Sequence, residues 1–117
     1  MRKLAILFPL LFLFTACAAL NSFSGRVAQG YSALTVTNDT TTVLVTAGTI
    51  TKEDGRKVLE QTKGAREALD MALAVRGKVG EDWLQTALGL LQEAQDALCK
   101  ERPSDPNCAY LRSRTAQ

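Results

Sequence analysis

Three cysteines and the absence of histidine limit the chemistry open to this chain. The cysteines are Cys17, Cys99 and Cys108, in a chain of 117 residues. Without an imidazole, the usual histidine-based catalytic triads and histidine-containing zinc sites are excluded. Thiol chemistry remains, as lipidation, disulfide formation, metal binding or redox exchange. The residues around each cysteine decide among these.

Cys17 follows a segment that is typical of a secretory signal peptide. Arg2 and Lys3 supply positive charge, and residues 4–14 contain only apolar residues and Pro9. This run is shorter than the roughly 20 residues that span a bilayer. A basic start, a short apolar run and small residues after it are the features of a secretory signal. The sequence therefore predicts export of the chain.

The four residues 14–17, Phe-Thr-Ala-Cys, resemble the bacterial lipobox, whose cysteine is diacylglycerated and becomes the new N-terminus. The resemblance implies a lipoprotein signal peptide at 1–16, lipidation of Cys17 and a lipid-anchored linker at 17–22. Two or three acyl chains hold a protein stably on a membrane. Family lipoboxes prefer Leu where this chain has Phe14, which leaves open cleavage by an ordinary signal peptidase after Ala18 or Ala19.

The residues after Cys17 indicate which membrane would carry the anchor. Ala18 and Ala19 stand where enterobacterial lipoproteins retained at the inner membrane carry Asp. By analogy, the sequence predicts the periplasmic face of the outer membrane. The expected partners are this membrane, reached through the lipid anchor, and an envelope protein.

The charge balance argues against a nucleic-acid partner. The chain has 14 basic and 12 acidic side chains, and removal of residues 1–16 takes away Arg2 and Lys3. The mature chain would then be neutral, without the basic patch of a nucleic-acid-binding protein.

Cys99 and Cys108 form an even pair once Cys17 is lipidated. The periplasm is oxidising, and the turn-forming sequence Ser-Asp-Pro-Asn lies between the two cysteines at 104–107. We predict a structural disulfide that folds a short tail, 102–117, back onto the preceding helix. Two free thiols or a redox role are the alternatives. No metal site and no cofactor are expected.

Two amphipathic helices are predicted in the second half of the chain. The first runs from about Lys52 to Arg76, opened by Thr51 with Asp54 and ended by Gly77. The second begins after Gly80 and ends near residues 100–101. Their apolar stripes are Val58, Thr62, Ala65, Leu69, Ala72 and Leu73 in the first, and Leu84, Ala87, Leu88, Leu91, Gln95 and Leu98 in the second. The short connection at 77–80 makes them antiparallel neighbours.

Residues 21–50 are ambiguous between a helix and a β-hairpin. Phe23, Val27, Tyr31, Leu34 and Thr41 share a helical face, whereas residues 34–37 and 42–46 alternate like strands. A two-stranded ribbon alone is marginally stable, and two amphipathic helices need a third element to cover them. We therefore predict a helix over 22–47, ended by Gly48. The fold class is all-α, a small antiparallel three-helix bundle at 23–101.

The pattern from Cys17 to about Leu98 resembles small lipoproteins encoded by tailed phages and prophages of proteobacteria. The features that carry the resemblance are the lipobox, a first helix with Tyr31 and threonine-rich turns, the corner at 47–54, the segment at 65–70 and a last helix rich in Leu and Ala. The resemblance brings no site chemistry with it. It implies an envelope protein of phage origin.

No catalytic constellation emerges from the remaining residues. Glu60, Glu67 and Asp70 each have a basic residue four positions away, which favours a solvated face over a metal or acid–base site. The threonines at 35–51 are expected on an exposed helix face, or as a polar recognition strip. Trp83 is interpreted as a residue at the edge of the core, with a binding anchor as the alternative. No small-molecule substrate is predicted.

Three functional hypotheses follow. The first is a non-enzymatic envelope-interaction lipoprotein, acting in superinfection exclusion or modification of the host envelope through tethered protein binding. The second is an outer-membrane spanin-like lysis subunit, although such subunits tend to be short and proline-rich, and this mature chain has only Pro103 and Pro106. The third is a structural lipoprotein without a specific partner.

Overall fold

The described part of the chain, residues 22–115 of a computed structural model, is helical and contains no strand. Side chains are described as far as Ser113. The predicted signal peptide, Cys17 and all of the linker except Ser22 lie outside the described residues. The four helices are α1 (Phe23–Thr46), α2 (Lys52–Val75), α3 (Gly77–Cys99) and α4 (Pro106–Thr115).

The predicted all-helical bundle is confirmed, and residues 34–46 belong to a helix. Ser22 caps α1, because its Oγ accepts a hydrogen bond from the Gly25 N–H at 3.0 Å. Leu34, Thr37, Thr41 and Leu44 are all buried on one side of the helix. Packing of this side against α2 and α3 therefore outweighs the preference of β-branched residues for strands.

Several threonines are buried, contrary to the expectation of an exposed helix face. Thr37, Thr40 and Thr41 all lie in the core. The Thr37 hydroxyl donates to the Ala33 carbonyl, and the Thr41 hydroxyl donates to the Thr37 carbonyl, both at 2.7 Å. A buried hydroxyl costs little when it has a partner, and the carbonyl one turn back supplies one within the same helix.

The connection between α1 and α2 agrees with the sequence analysis. Gly48 has a φ of 74°, the left-handed conformation that ends helices and favours glycine. Thr51 caps α2, since its Oγ1 accepts a hydrogen bond from the Asp54 N–H at 3.1 Å. The two helices are therefore antiparallel. We call the end of the bundle that contains this connection the far end. Ile50 of the connection is buried there, against side chains of all four helices.

The reversal between α2 and α3 is shorter than predicted. The predicted connection at 77–80 is the first turn of α3, and Arg76 alone separates the two helices. Arg76 has φ 54° and ψ −172°, and Gly77 has φ 60°. Such a backbone conformation costs a non-glycine residue about 1–3 kcal/mol. Gly77 has the positive φ predicted for it, but as the first residue of α3.

The C-terminal tail is a fourth helix, which the sequence analysis did not predict. Asp105 caps α4, because its Oδ1 accepts a hydrogen bond from the Asn107 N–H at 2.8 Å, and Pro106 is the first helical residue. The helix contacts α1 as well as α3, and its contact with α1 is the larger. The tail therefore covers the far end of the bundle instead of folding back on α3 alone.

The core consists of two clusters along the bundle. The α2–α3 corner is the reversal around Arg76, where α2 ends and α3 begins. The cluster nearer this corner is built of Val27, Leu34, Ala65, Ala68, Leu69, Ala72, Leu84, Ala87 and Leu91. The far one is built of Leu44, Ile50, Val58, Ala94, Leu98, Cys99, Cys108 and Leu111. Burial of one leucine side chain contributes about 1.5–3 kcal/mol. Most residues of the predicted stripes of α2 and α3 are in these clusters.

The close packing of the corner predicts opposite effects for two glycine substitutions in α3. A Cβ at Gly80 would lie 2.8 Å from the Ala72 carbonyl oxygen, whereas a Cβ at Gly89 would have no neighbour within 4 Å. We expect Gly80→Ala to lower the free energy of unfolding by about 1–3 kcal/mol. Gly89→Ala should raise it by about 0.5–1 kcal/mol through improved helix propensity. Chemical denaturation measures both, and equal effects would contradict the close approach.

Candidate functional site

The structure joins two of the three predicted site residues. Cys99, the last residue of α3, and Cys108, in the first turn of α4, form the predicted disulfide, with Cα atoms 5.5 Å apart. Cys108 is fully buried and Cys99 nearly so, so the bond belongs to the core of the far end. The bond fixes α4 to the end of α3.

Polar contacts support the disulfide in holding α4. The Arg112 guanidinium donates to the Pro103 carbonyl and to the Cys108 carbonyl, and the Arg102 guanidinium donates to the Leu98 carbonyl. Arg112 therefore bridges α4 and the loop before it. Its side chain also reaches the surface between α3 and α1.

That surface is a groove of about 470 Å³ between α1, α3 and α4. Its apolar floor comes from Ala33 of α1 and Leu88 and Leu91 of α3, and its polar edge from Gln92, Gln95, Asp96 and Arg112. A second depression of about 220 Å³ continues it toward the disulfide. The two share Gln95, Asp96 and Arg112, and the second also borders Cys99, Lys100, Pro103 and Leu111.

The chemistry of the groove suits recognition of a polypeptide. Its edge presents two amides, a carboxylate and a guanidinium around an apolar floor, which is the composition of many protein interfaces. Gln95 is positioned by a 3.5 Å hydrogen bond from its Nε2 to the Oγ1 of the buried Thr37. Buried Thr37 thus helps to orient a side chain at the surface of the groove.

The groove is not predictable from the sequence. Gln95 was visible as a polar residue in an apolar stripe, and that was its only signal. Neither Asp96 nor Arg112 has a sequence signal of a binding site. The position of Arg112 in particular depends on α4, which was not predicted. The Asp105–Pro106 pair, an N-cap followed by proline, is the signal that predicts the start of α4.

The acidic side chains of α2 lie on an exposed face. Glu60, Glu67 and Asp70 are all solvent-accessible on α2. Among the described residues, no three Cys, Asp or Glu side chains lie close enough together to hold a metal ion.

Asp70 has one specific partner, the hydroxyl of Tyr31 on α1, which donates a hydrogen bond to its carboxylate. Partial burial of Tyr31, followed by this hydrogen bond and the negative charge of Asp70, raises the pKa of Tyr31 to about 12, while Arg66 opposes the rise. The contact joins α1 to α2 through a neutral phenol.

A second polar contact joins α1 to α3 near the corner. The Arg26 guanidinium forms an ion pair with Glu81, and both side chains are about two-fifths exposed or less. Phe23, one turn before Arg26, lies against the start of α3, since a Cβ at Gly80 would be 3.3 Å from its Cζ. The start of α1 is thereby fixed beside the α2–α3 corner.

Comparison of the chain with family models, curated protein sequences and solved structures gives no match. Within residues 22–115, no helix combines the length and the apolar character needed to span a bilayer.

The disulfide predicts a measurable loss of stability on its removal. We expect replacement of both Cys99 and Cys108 by serine to lower the free energy of unfolding by about 2–3 kcal/mol, because a short closed loop is released in the unfolded chain. α4 should lose protection against amide hydrogen exchange before α1, α2 and α3. Equal loss of protection in all four helices would contradict a local role for the bond.

The Tyr31–Asp70 contact predicts a loss of stability at high pH. Since the folded chain raises the pKa of Tyr31 from 10.0 to about 12, the contribution is complete below about pH 10 and is lost as the pH rises toward 12. In a Tyr110→Phe background Tyr31 is the only tyrosine, and tyrosinate absorbance reports its titration directly. Asp70→Ala in that background should lower the pKa of Tyr31, and an unchanged titration would contradict the contact.

Proposed function

We propose that this chain is a bacterial envelope lipoprotein of phage or prophage origin that acts by binding a protein while tethered to a membrane. The lipid is attached to Cys17, and the chain lies at the periplasmic face of the outer membrane. Its activity is non-catalytic, in superinfection exclusion or modification of the host envelope. The observation that carries the proposal is the lipobox-like sequence at 14–17, placed directly before a folded bundle.

The short distance between the anchor and the bundle supports tethering. α1 begins at Phe23, and its cap Ser22 is only five positions after Cys17. Five residues span at most about 17 Å when fully extended. The start of α1 is therefore held beside the membrane. Confinement raises the effective concentration of the bundle for a membrane-bound partner, so a weak contact can be occupied.

The groove between α1, α3 and α4 is the surface we assign to the protein partner. It is open to solvent, and its polar edge of Gln92, Gln95, Asp96 and Arg112 surrounds an apolar floor. Asp96 borders both depressions, as Gln95 and Arg112 do, and it is the acidic residue of this edge. A partner side chain with basic or amide character complements it.

Removal of the lipid tests the tether. The chain from Ala18 onward is exported with an ordinary signal peptide and compared with the full chain, at matched abundance, for phage adsorption, superinfection and lysis timing. We expect the phenotypes of the full chain to be much reduced while circular dichroism shows the same helical bundle. An undiminished effect of the lipid-free chain would remove the tether from the mechanism.

Two further variants separate the parts of the proposal. Cys17→Ser should abolish incorporation of radioactive palmitate, and equal labelling of both chains would refute lipidation at Cys17.

Asp96→Lys should reduce the same phenotypes, because the groove would then repel a basic side chain of the partner. Glu93→Lys is the matched control, since Glu93 is exposed on the same helix and borders neither depression. Equal effects of the two charge reversals would refute the groove as the binding surface.

A further inference from the structure

One group of exposed apolar side chains lies around the α2–α3 corner of the bundle. Among the described residues, seven large apolar or aromatic side chains are exposed, and four of them are Met71, Val75, Val79 and Trp83. Met71 and Val75 are one turn apart in the last turns of α2, and Val79 and Trp83 are one turn apart in the first turns of α3. With a rise of about 1.5 Å per residue, all four lie within about 11 Å of Arg76 along the helices.

This end is also where the chain enters the bundle. Phe23 lies against Gly80, and Arg26 pairs with Glu81, so the start of α1 and the α2–α3 corner are side by side. Lipidation at Cys17 would hold this end within about 17 Å of the membrane. The far end, reached by α1 with its 24 residues, lies about 36 Å further along the bundle.

The charged residues at the corner favour an anionic lipid surface. Arg76 and Lys78 are both exposed, while Glu81 is paired with Arg26. Asp82 is the exposed acidic residue of the same turn of α3. Basic side chains extend along apolar surface to reach lipid headgroups, and tryptophan is enriched at the membrane interface. The combination of Val75, Val79 and Trp83 with Arg76 and Lys78 has the chemistry of an interfacial contact.

We propose that the α2–α3 corner lies on the lipid surface, with Val75, Val79 and Trp83 in the boundary between headgroups and acyl chains and with Arg76 and Lys78 among the headgroups. The inference rests on the proposed anchor at Cys17, which brings this end to the membrane. It goes beyond that anchor by giving the bundle an orientation. The long axis is inclined to the membrane, and the disulfide end points into the periplasm.

The single tryptophan makes this orientation measurable. Trp83 is the only tryptophan of the chain, and it is 37% exposed in the bundle. Cys99 and Cys108 are disulfide-bonded, so Cys17 is the only free thiol of a chain that begins at Cys17. This chain is coupled through Cys17 to a maleimide-bearing lipid in vesicles of phosphatidylethanolamine and phosphatidylglycerol. The chemical tether replaces lipidation by the cell.

On coupling, we expect the emission of Trp83 to shift to shorter wavelength and its quenching by acrylamide to fall by about twofold or more, as its side chain enters the interface. Val75→Asp with Val79→Asp should abolish both changes. Val43→Asp with Leu59→Asp is the matched control at the far end, where Val43 has the same 48% exposure as Val75. This control should behave as the unaltered chain. Circular dichroism and thermal unfolding establish that each variant is folded.

Unchanged emission and quenching of the coupled, unaltered chain would overturn the proposal, and this comparison needs no variant. Equal losses in the two double variants would overturn it as well, because the contact would then not depend on the corner. Since the lipid is attached chemically, these results do not depend on lipidation in cells. Failure of palmitate labelling refutes the anchor, and failure here refutes the orientation.

Discussion

The backbones of α2 and α3 approach closely at the corner, and the rest of the structure depends on this approach. A single residue, Arg76, separates the helices, and Gly80 packs against the Ala72 carbonyl. Helices joined in this way can only be antiparallel neighbours. Small residues, including Ala65, Ala68 and Ala87, maintain the packing along the pair. The pair also presents large side chains, among them Leu69, Leu84 and Leu91, and it requires a third element to bury them.

α1 covers the apolar face that the pair leaves open. Val27, Leu34 and Leu44 insert from α1, and Gly30 admits the side chain of Leu69, whose Cδ2 would lie 2.8 Å from a Cβ at that position. Burial drives this packing, while the hydroxyls of Thr37 and Thr41 are satisfied by carbonyls of the same helix. The contacts of Tyr31 with Asp70 and of Arg26 with Glu81 then fix α1 against α2 and α3.

The predictable parts of the fold are those that depend on residues close in sequence. Local features of this kind are the stripes of α2 and α3, the cap at Thr51 and the turn at Gly48. The cap at Ser22 is local too, although the prediction begins the first helix at Ser22 itself. α4 was missed because a ten-residue helix is marginal by itself, and it exists through its disulfide and the burial of Leu111. The groove was missed for a related reason, since three helices converge to form it.

The order of the helices along the chain has a kinetic consequence. α1 with α2 and α2 with α3 are neighbours both in sequence and in space, and the cysteines of the disulfide are separated by only nine positions. Helical bundles dominated by local contacts fold in microseconds to milliseconds. A chain that crosses a membrane unfolded would therefore complete its bundle only once α4 emerges, and almost as soon as it does. The interval during which its apolar stripes are open to proteases or to other unfolded chains is correspondingly brief.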